Sequence, residues 1–164
     1  MILNKLTLFN SDVPTEFALS PAQIASITAL KSSFSHETFT PLLPSLVEMI
    51  LTWPSPKRFP AIDIVRLAAV KLHADVCDMK RGELGVVDIL VEGAEMQEGV
   101  MEGRKDFDVN SLLAVRALVN LFEGEEGKKL MVRDYAKVIL SELDPMVDSV
   151  GIGCGKDCRC QDKH

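Results

Sequence analysis

The stretch that decides the fold reads Phe59-Pro-Ala-Ile-Asp-Ile-Val-Arg-Leu-Ala-Ala-Val-Lys-Leu72. Its Phe59-Pro60 pair predicts a helix start, because proline is favoured in the first helical turn. The residues that follow are apolar on nearly every side, and a helix of that kind must be covered by neighbours on several faces. A second helix with the same property is predicted over residues 111–122. The two together indicate an all-α fold.

The remaining helical signals point the same way. Ser20-Pro21 and Thr40-Pro41 each combine a hydroxyl N-cap with a proline in the first turn. Asn110-Ser111 is predicted to cap the second apolar helix, and no alternating strand pattern exceeds about four residues. This arrangement favours an α-solenoid, although periodicity alone also fits a compact bundle. We expect helices over residues 2–9, 21–30, 41–53, 60–72, 82–98, 111–122 and 125–143.

The composition fits one domain with an aliphatic core. The chain has 164 residues, of which 47% are hydrophobic and 5% aromatic. That is enough apolar surface for one folded domain, and it excludes a disordered chain. The 24 acidic residues outnumber the 18 basic ones, which gives a formal net charge of −6. Because general nucleic-acid binding needs a basic surface, we expect no nucleic-acid partner.

The sequence shows no sign of a leader, a membrane span or a catalytic motif. The N-terminal apolar run contains Lys5 and has no small-residue cleavage site, and no uncharged apolar stretch reaches the ~18 residues that a bilayer span needs. We expect no enzyme, since the common catalytic motifs are missing, and the one catalytic alternative is a thiol–imidazole pair of Cys77 and His73. The cysteines do not form dispersed pairs, which predicts a cytoplasmic or nuclear location, or both.

The charges are unevenly distributed along the chain. From residue 57 to 81 six basic residues stand against three acidic ones, whereas from 83 to 108 eight acidic residues stand against two basic ones. The acidic run is typical of a solvated face or loop. Arg66 lies within the apolar helix, and a buried arginine is almost always paired. We therefore expect it to reach Asp63, a partner or a groove.

Two segments form longer motifs: Trp53-Pro-Ser-Pro-Lys-Arg-Phe-Pro-Ala-Ile-Asp-Ile-Val-Arg-Leu67 and Leu112-Leu-Ala-Val-Arg-Ala-Leu-Val-Asn-Leu-Phe122. The first resembles a Trp-Pro, a spacer and Phe-Pro-Ala-Leu-Asp-Leu-x-Arg-Leu in the PUL domain, the C-terminal module of the phospholipase-activating protein and its relatives in ubiquitin pathways. The second resembles that family's Leu-x-Ala-Leu-Arg-x-x-x-Asn-x-Phe. Residues 127–131 and 2–10 are similar to two further family segments, so the resemblance covers residues 1–143.

The resemblance implies an armadillo-like α-solenoid, here a partial one of about three repeats over residues 1–143, followed by a flexible tail at 144–164. It implies a non-catalytic docking module of the ubiquitin–proteasome pathway that binds the acidic C-terminal tail of the hexameric valosin-containing AAA ATPase. A usual PUL domain continues for about as many residues again, so the chain is expected to correspond to its N-terminal half. We expect a monomer without a membrane partner.

The resemblance also assigns the residues of the ligand groove. Arg66 and Arg116 stand at the matching family positions, and guanidinium groups suit a carboxylate-rich peptide. Asn120 lies one helical turn from Arg116 and is placed to bind peptide backbone, while Lys128 and Lys129 extend the positive strip. An internal explanation stays open, in which Arg66 pairs with an acid on its own helix and Asn120 bridges two helices.

The tail contains three thiols and one imidazole within eleven residues: Cys154, Cys158, Cys160 and His164. That is the ligand number of a tetrahedral zinc site. The cysteine spacing differs from common zinc fingers and is closer to metallothionein-like clusters. The alternative function is therefore a small metal-binding or redox-responsive protein that acts through this tail, and the plainer explanation is a flexible, glycine-rich tail without a ligand.

Overall fold

The computed structural model describes residues 2–96 and 108–133, and every regular element in these ranges is helical. The expected all-α class is confirmed there, and the single β-bridge joins Arg81 to Leu84 across a turn. The helices are α1 (Ile2–Asn10), α2 (Pro21–Ala29), α3 (His36–Phe39), α4 (Leu43–Thr52), α5 (Ser55–Lys71), α6 (His73–Cys77), α7 (Val86–Gly93), α8 (Val109–Leu121) and α9 (Glu125–Arg133), with a 3-10 turn at Thr40–Leu42 before α4.

The start of α2 follows the local sequence signal. The Ser20 hydroxyl accepts a hydrogen bond from the Gln23 backbone amide, and the Gln23 side chain accepts one from the Ser20 amide at 2.8 Å. This reciprocal cap satisfies two amides that lack partners within the helix. The predicted start at Ser20-Pro21 is therefore confirmed.

The predicted start of α5 at Phe59-Pro60 is wrong, because the helix begins four residues earlier, at Ser55. Pro56 occupies the first turn, where its missing amide has no helical partner to lose. Pro60 is then an interior residue that is buried, and the helix continues through it. The long apolar helix thus starts inside the segment that was expected to separate the helices predicted over residues 41–53 and 60–72.

The predicted cap of α8 at Asn110-Ser111 is also wrong. Asp108 is the N-cap, and its carboxylate accepts a hydrogen bond from the Ser111 amide at 2.9 Å. Asn110 and Ser111 are buried inside the helix, where their side chains bond to Ser55 and to the carbonyl of Ala94. The Asn110 and Ser111 side chains, which suggested a cap, therefore form tertiary hydrogen bonds instead.

The helix predictions over residues 82–98 and 125–143 are each confirmed over part of their length. Of the helix expected over residues 82–98, the structure shows α7, which begins only after a turn at residues 81–84 in which Gly82 has a φ of +60°, and residues 97–98 lie outside the described ranges. Glycine adopts that conformation without a Cβ clash. The helix expected over 125–143 is described as far as Arg133, and its remainder lies outside the described residues.

Three consecutive helices each pack on the helix that stands three helices later in the chain. α4 packs on α7, α5 on α8 and α6 on α9, and the α5–α8 contact is the most extensive one in the described ranges. The Asn110 amide group donates to the Ser55 carbonyl at 2.7 Å, and the Asn120 amide group donates to the Arg66 carbonyl at 3.1 Å. Because both pairs advance in the same direction along the chain, α5 and α8 run parallel.

A mostly aliphatic core lies between these layers, with Trp53 and Phe39 as its largest buried side chains. The Arg58 side chain connects helix ends around it, donating through Nε to the Trp53 carbonyl at 2.6 Å and through Nη1 to the Gly93 carbonyl at 3.1 Å. A Cβ at Gly93 would overlap the Ile50 side chain, so glycine permits the close approach of α7 to α4. None of the described helices is long and apolar enough to cross a bilayer.

Candidate peptide-binding surface

Arg66 is held by a neighbour on its own helix. Its Nε lies 2.6 Å from Asp63 Oδ1, three residues earlier on α5. The Asp63 side chain is 9% exposed and that of Arg66 is 25% exposed. A guanidinium has five N–H donors, and only the Nε donor is used by Asp63. In the described part of the chain the two terminal amino groups make no hydrogen bond, so they can bind a second carboxylate.

Asn120 joins α8 to α5. Its side-chain amide donates to the Arg66 carbonyl at 3.1 Å, so the internal bridging role is present in the structure. Within the described ranges its side-chain oxygen makes no hydrogen bond. One acceptor of the amide thus stays available on the surface where the two helices meet.

Arg116 lies on α8, one helical turn before Asn120, and its side chain is exposed. The hydrogen bonds that Asn110 and Asn120 donate to α5 connect residues separated by 55 and by 54 positions in the sequence. This register places Arg116 at the level of Ile62 on α5. It makes no ion pair with any residue of the described part of the chain. Arg66, Arg116 and Asn120 therefore lie on adjacent helices within about one turn of each other.

The two lysines lie on a different helix. Lys128, on α9, pairs with Glu125 at 2.7 Å, and this hydrogen bond lowers the pKa of the Glu125 carboxyl. Lys129 borders an open cleft of about 510 Å³ between α6 and α9, where Lys80 and Glu126 are also found. Neither lysine contacts Arg66, Arg116 or Asn120 in the described structure. The five predicted groove residues thus lie on two separate parts of the molecule, three of them on the α5–α8 pair and two on α9.

The Cys77 thiol lines the same cleft in a half-buried position. Burial raises its pKa, with smaller contributions from the negative charges of Asp78 and Glu126. A nucleophilic cysteine needs the opposite shift. His73 packs against Gly124, and its Nε2 has no hydrogen-bond partner in the described structure. This geometry does not support a catalytic pair of His73 and Cys77.

Two features of the structure cannot be found from the sequence. The Arg58 contacts with carbonyls at the ends of two helices depend on tertiary folding, and no local signal indicates them. The exposed apolar side chains on α8 follow a helical period, whereas the sequence predicts that an apolar helix of this kind is covered on several faces. Among the described residues, no group of three or more His, Cys, Asp or Glu side chains is arranged to hold a metal ion, and the predicted ligands Cys154, Cys158, Cys160 and His164 lie outside those residues.

A family model described as "PUL domain" matches residues 1–153 of the chain. The matched range contains all the described helices, including both segments that carry Arg66 and Arg116. No curated protein matches the chain, and no solved structure does.

Proposed function

Because the chain belongs to the PUL domain family, a family of protein-interaction modules of the ubiquitin pathway, we propose that its α5–α8 surface binds the acidic C-terminal tail of the hexameric valosin-containing AAA ATPase. In this proposal the chain is a monomeric adaptor without catalytic activity. It acts in the cytoplasm, the nucleus or both.

The observation that carries the proposal is the arrangement of two guanidinium groups on adjacent helices. Asp63 orients Arg66 through Nε and leaves the forked end of its guanidinium available, which is the geometry that binds a carboxylate with two hydrogen bonds. Arg116 lies one helix away and about one turn lower. With helix axes 8–10 Å apart, the positions of the two residues along the axes lie roughly 10 Å apart, a distance that an extended peptide spans in about three residues.

The stacking of counterpart helices supports the second part of the proposal, a partial armadillo-like α-solenoid of about three repeats. Each of α4, α5 and α6 contacts the helix that stands three helices later in the chain, and the α5–α8 pair is parallel. A solenoid is built from such nearest-neighbour contacts. In this arrangement α5 and α8 form one row of equivalent helices, and this row presents Arg66, Arg116 and Asn120.

The proposal is tested by titrating the whole chain into a fluorescent peptide that carries the acidic tail. We expect saturable binding that Arg66→Ala and Arg116→Ala each weaken by about tenfold or more, because a hydrogen bond to a charged group contributes ~1.5–3 kcal/mol. Lys128→Ala and Lys129→Ala should weaken it less, since their positions allow only a screened charge effect.

Arg81→Ala is the matched control for these variants. Arg81 is an exposed arginine that pairs with Glu48 at 3.4 Å on another part of the molecule. Its removal alters the net charge by the same amount and should leave the affinity within about twofold. The proposal is wrong if the peptide does not bind, or if all three arginine variants have the same effect.

A further inference from the structure

Two exposed aliphatic side chains lie beside Arg66 on α5. Val70 follows Arg66 by four positions and Leu67 precedes Val70 by three, so the three side chains are neighbours on the helix surface. Leu67 is 41% exposed and Val70 is 42% exposed, whereas Ala68 and Ala69 between them are buried. The apolar pair of Leu67 and Val70 therefore continues the α5–α8 surface for one helical turn beyond Arg66.

The α8 side of this next turn carries an acidic residue instead of an arginine. Asn120 marks the level of Arg66, because its side-chain amide donates to the Arg66 carbonyl at 3.1 Å. Glu123 follows Asn120 by three positions, and its backbone amide donates to the Asn120 carbonyl at 3.1 Å, so the chain completes a further turn there. The Glu123 side chain is exposed and makes no ion pair within residues 2–96 and 108–133. It lies at the level of the apolar pair.

A contact at the same end of the two helices supports this placement. His73, at the start of α6, lies so close to Gly124 that a Cβ on this glycine would overlap the imidazole ring. Gly124 follows Glu123 directly, and His73 follows Val70 by three positions. The turn after α8 therefore lies beside the C-terminal end of α5, and Glu123 and Val70 border the same end of the α5–α8 surface.

The α5–α8 surface thus changes its chemistry along the helix axes. The guanidinium groups of Arg116 and Arg66 occupy one part of it, and the apolar pair and Glu123 occupy the next turn. Lys71 does not alter this pattern, because it follows Arg66 by five positions and lies about 140° round α5 from it. A ligand carboxylate is attracted by the arginines and repelled by Glu123, whereas an aliphatic side chain shields the apolar pair from water.

We propose that the α5–α8 surface selects acidic peptides that carry an aliphatic residue next to their carboxylates, and that Val70 and Glu123 determine this preference. The inference rests on the proposed function, because it assigns a specificity to the same surface. Val70 contacts the aliphatic side chain, and Glu123 disfavours a further carboxylate at that place. Val70 lies about 6 Å beyond Arg66 along the axis, which an extended peptide spans in about two residues.

The experiment uses the full chain and fluorescent peptides that share a block of four aspartates. The peptides differ at one position, two residues beyond the block on either side, where they carry leucine, serine or glutamate. Anisotropy titrations are expected to show, for one of the two sides, about fivefold tighter binding of the leucine peptide than of the serine peptide. The glutamate peptide should bind no more tightly than the serine peptide.

Val70→Ser should abolish the preference for leucine over serine, because it removes the aliphatic contact. Val132→Ser is the matched control, since Val132 on α9 is 68% exposed and lies outside the α5–α8 surface, and it should preserve the preference. Glu123→Gln should strengthen binding of the glutamate peptide about twofold by removing the repulsion. Glu83→Gln removes the same charge from an exposed residue in the turn before α7 and should leave that affinity unchanged.

Three results overturn the inference alone: equal affinities of the leucine and serine peptides on both sides, equal effects of Val70→Ser and Val132→Ser, or a glutamate peptide that binds as tightly as the leucine peptide. In these cases the proposed function still stands if the peptides bind and Arg66→Ala weakens them. The absence of saturable binding for every peptide overturns the inference and the proposed function together.

Discussion

Asp63 has an effect on folding as well as on the orientation of Arg66. Its carboxylate is nearly buried, and Arg66 is its hydrogen-bonding partner at 2.6 Å. Removing Arg66 leaves that carboxylate buried without its partner. We expect Arg66→Ala to lower the free energy of unfolding by about 1–3 kcal/mol, measured by urea denaturation.

The double variant Asp63→Ala/Arg66→Ala should recover part of this loss, because it removes the uncompensated carboxylate as well. Arg81→Ala is the control, since its exposed pair with Glu48 contributes ~0–1 kcal/mol. An Arg66→Ala variant as stable as the wild type would contradict the prediction. These measurements also separate a loss of peptide affinity from a loss of folded protein.

The chemical reactivity of Cys77 follows from its surroundings. Because burial raises its pKa, a smaller fraction is thiolate at pH 7.5 than in a free cysteine. We expect iodoacetamide to alkylate Cys77 more slowly than it alkylates free cysteine. Peptide mapping of the alkylated protein distinguishes Cys77 from the tail thiols. Glu126→Gln should accelerate it only slightly, since burial is the larger cause. Alkylation as fast as that of free cysteine would be the contrary result.

Helix α9 depends on a glycine in its first turn, which lies close to the last residue of α8. A Cβ at Gly127 would overlap the backbone carbonyl of Leu121, and backbone cannot rotate away as a side chain can. Alanine favours helix by up to ~1 kcal/mol over glycine, whereas a forced clash costs about 1–3 kcal/mol. We therefore expect Gly127→Ala to lower the stability of the domain.

Thermal unfolding of the full chain measures this effect. Lys129→Ala, at an exposed position of the same helix, should change the stability by less than about 0.5 kcal/mol. A Gly127→Ala variant that melts at or above the wild-type temperature would show that α9 tolerates displacement from α8.

The helix starts show which signals can be used without the structure. The cap at Ser20 was predictable because both partners lie within three residues. The cap partners of α8, Asp108 and Ser111, also lie within three residues, and the prediction chose Asn110 instead because the sequence does not show that Asn110 bonds to Ser55, 55 positions away. The short helices α3 and α6 have too few residues to show a period. The Asp63–Arg66 pair was a predictable i, i+3 contact, whereas the bond from Asn120 to Arg66 depends on a register between distant helices.

At the scale of the whole molecule, the all-α class follows from the helical periods, while the stacking direction does not. The parallel arrangement of α5 and α8 becomes visible only through their two side-chain bonds. The armadillo-like description stays a proposal that rests on these layers and on the family match to residues 1–153.

The metal hypothesis for the tail also concerns the whole chain and stays a prediction. If Cys154, Cys158, Cys160 and His164 bind zinc, untagged protein should contain about one zinc per chain by elemental analysis. Cys158→Ser should then lower the zinc content, whereas Cys77→Ser should not. Metal-free protein with three freely reactive tail thiols would contradict the hypothesis.

The two side-chain hydrogen bonds at the ends of α8 have a mechanical consequence. Asn110 and Asn120 fasten both ends of this helix to backbone carbonyls of α5. Sliding one helix along the other must rupture both bonds together, so a shear force along the axis is shared between them. A pull on Arg66 is therefore transmitted to α8 as well, and the two helices resist it as one unit.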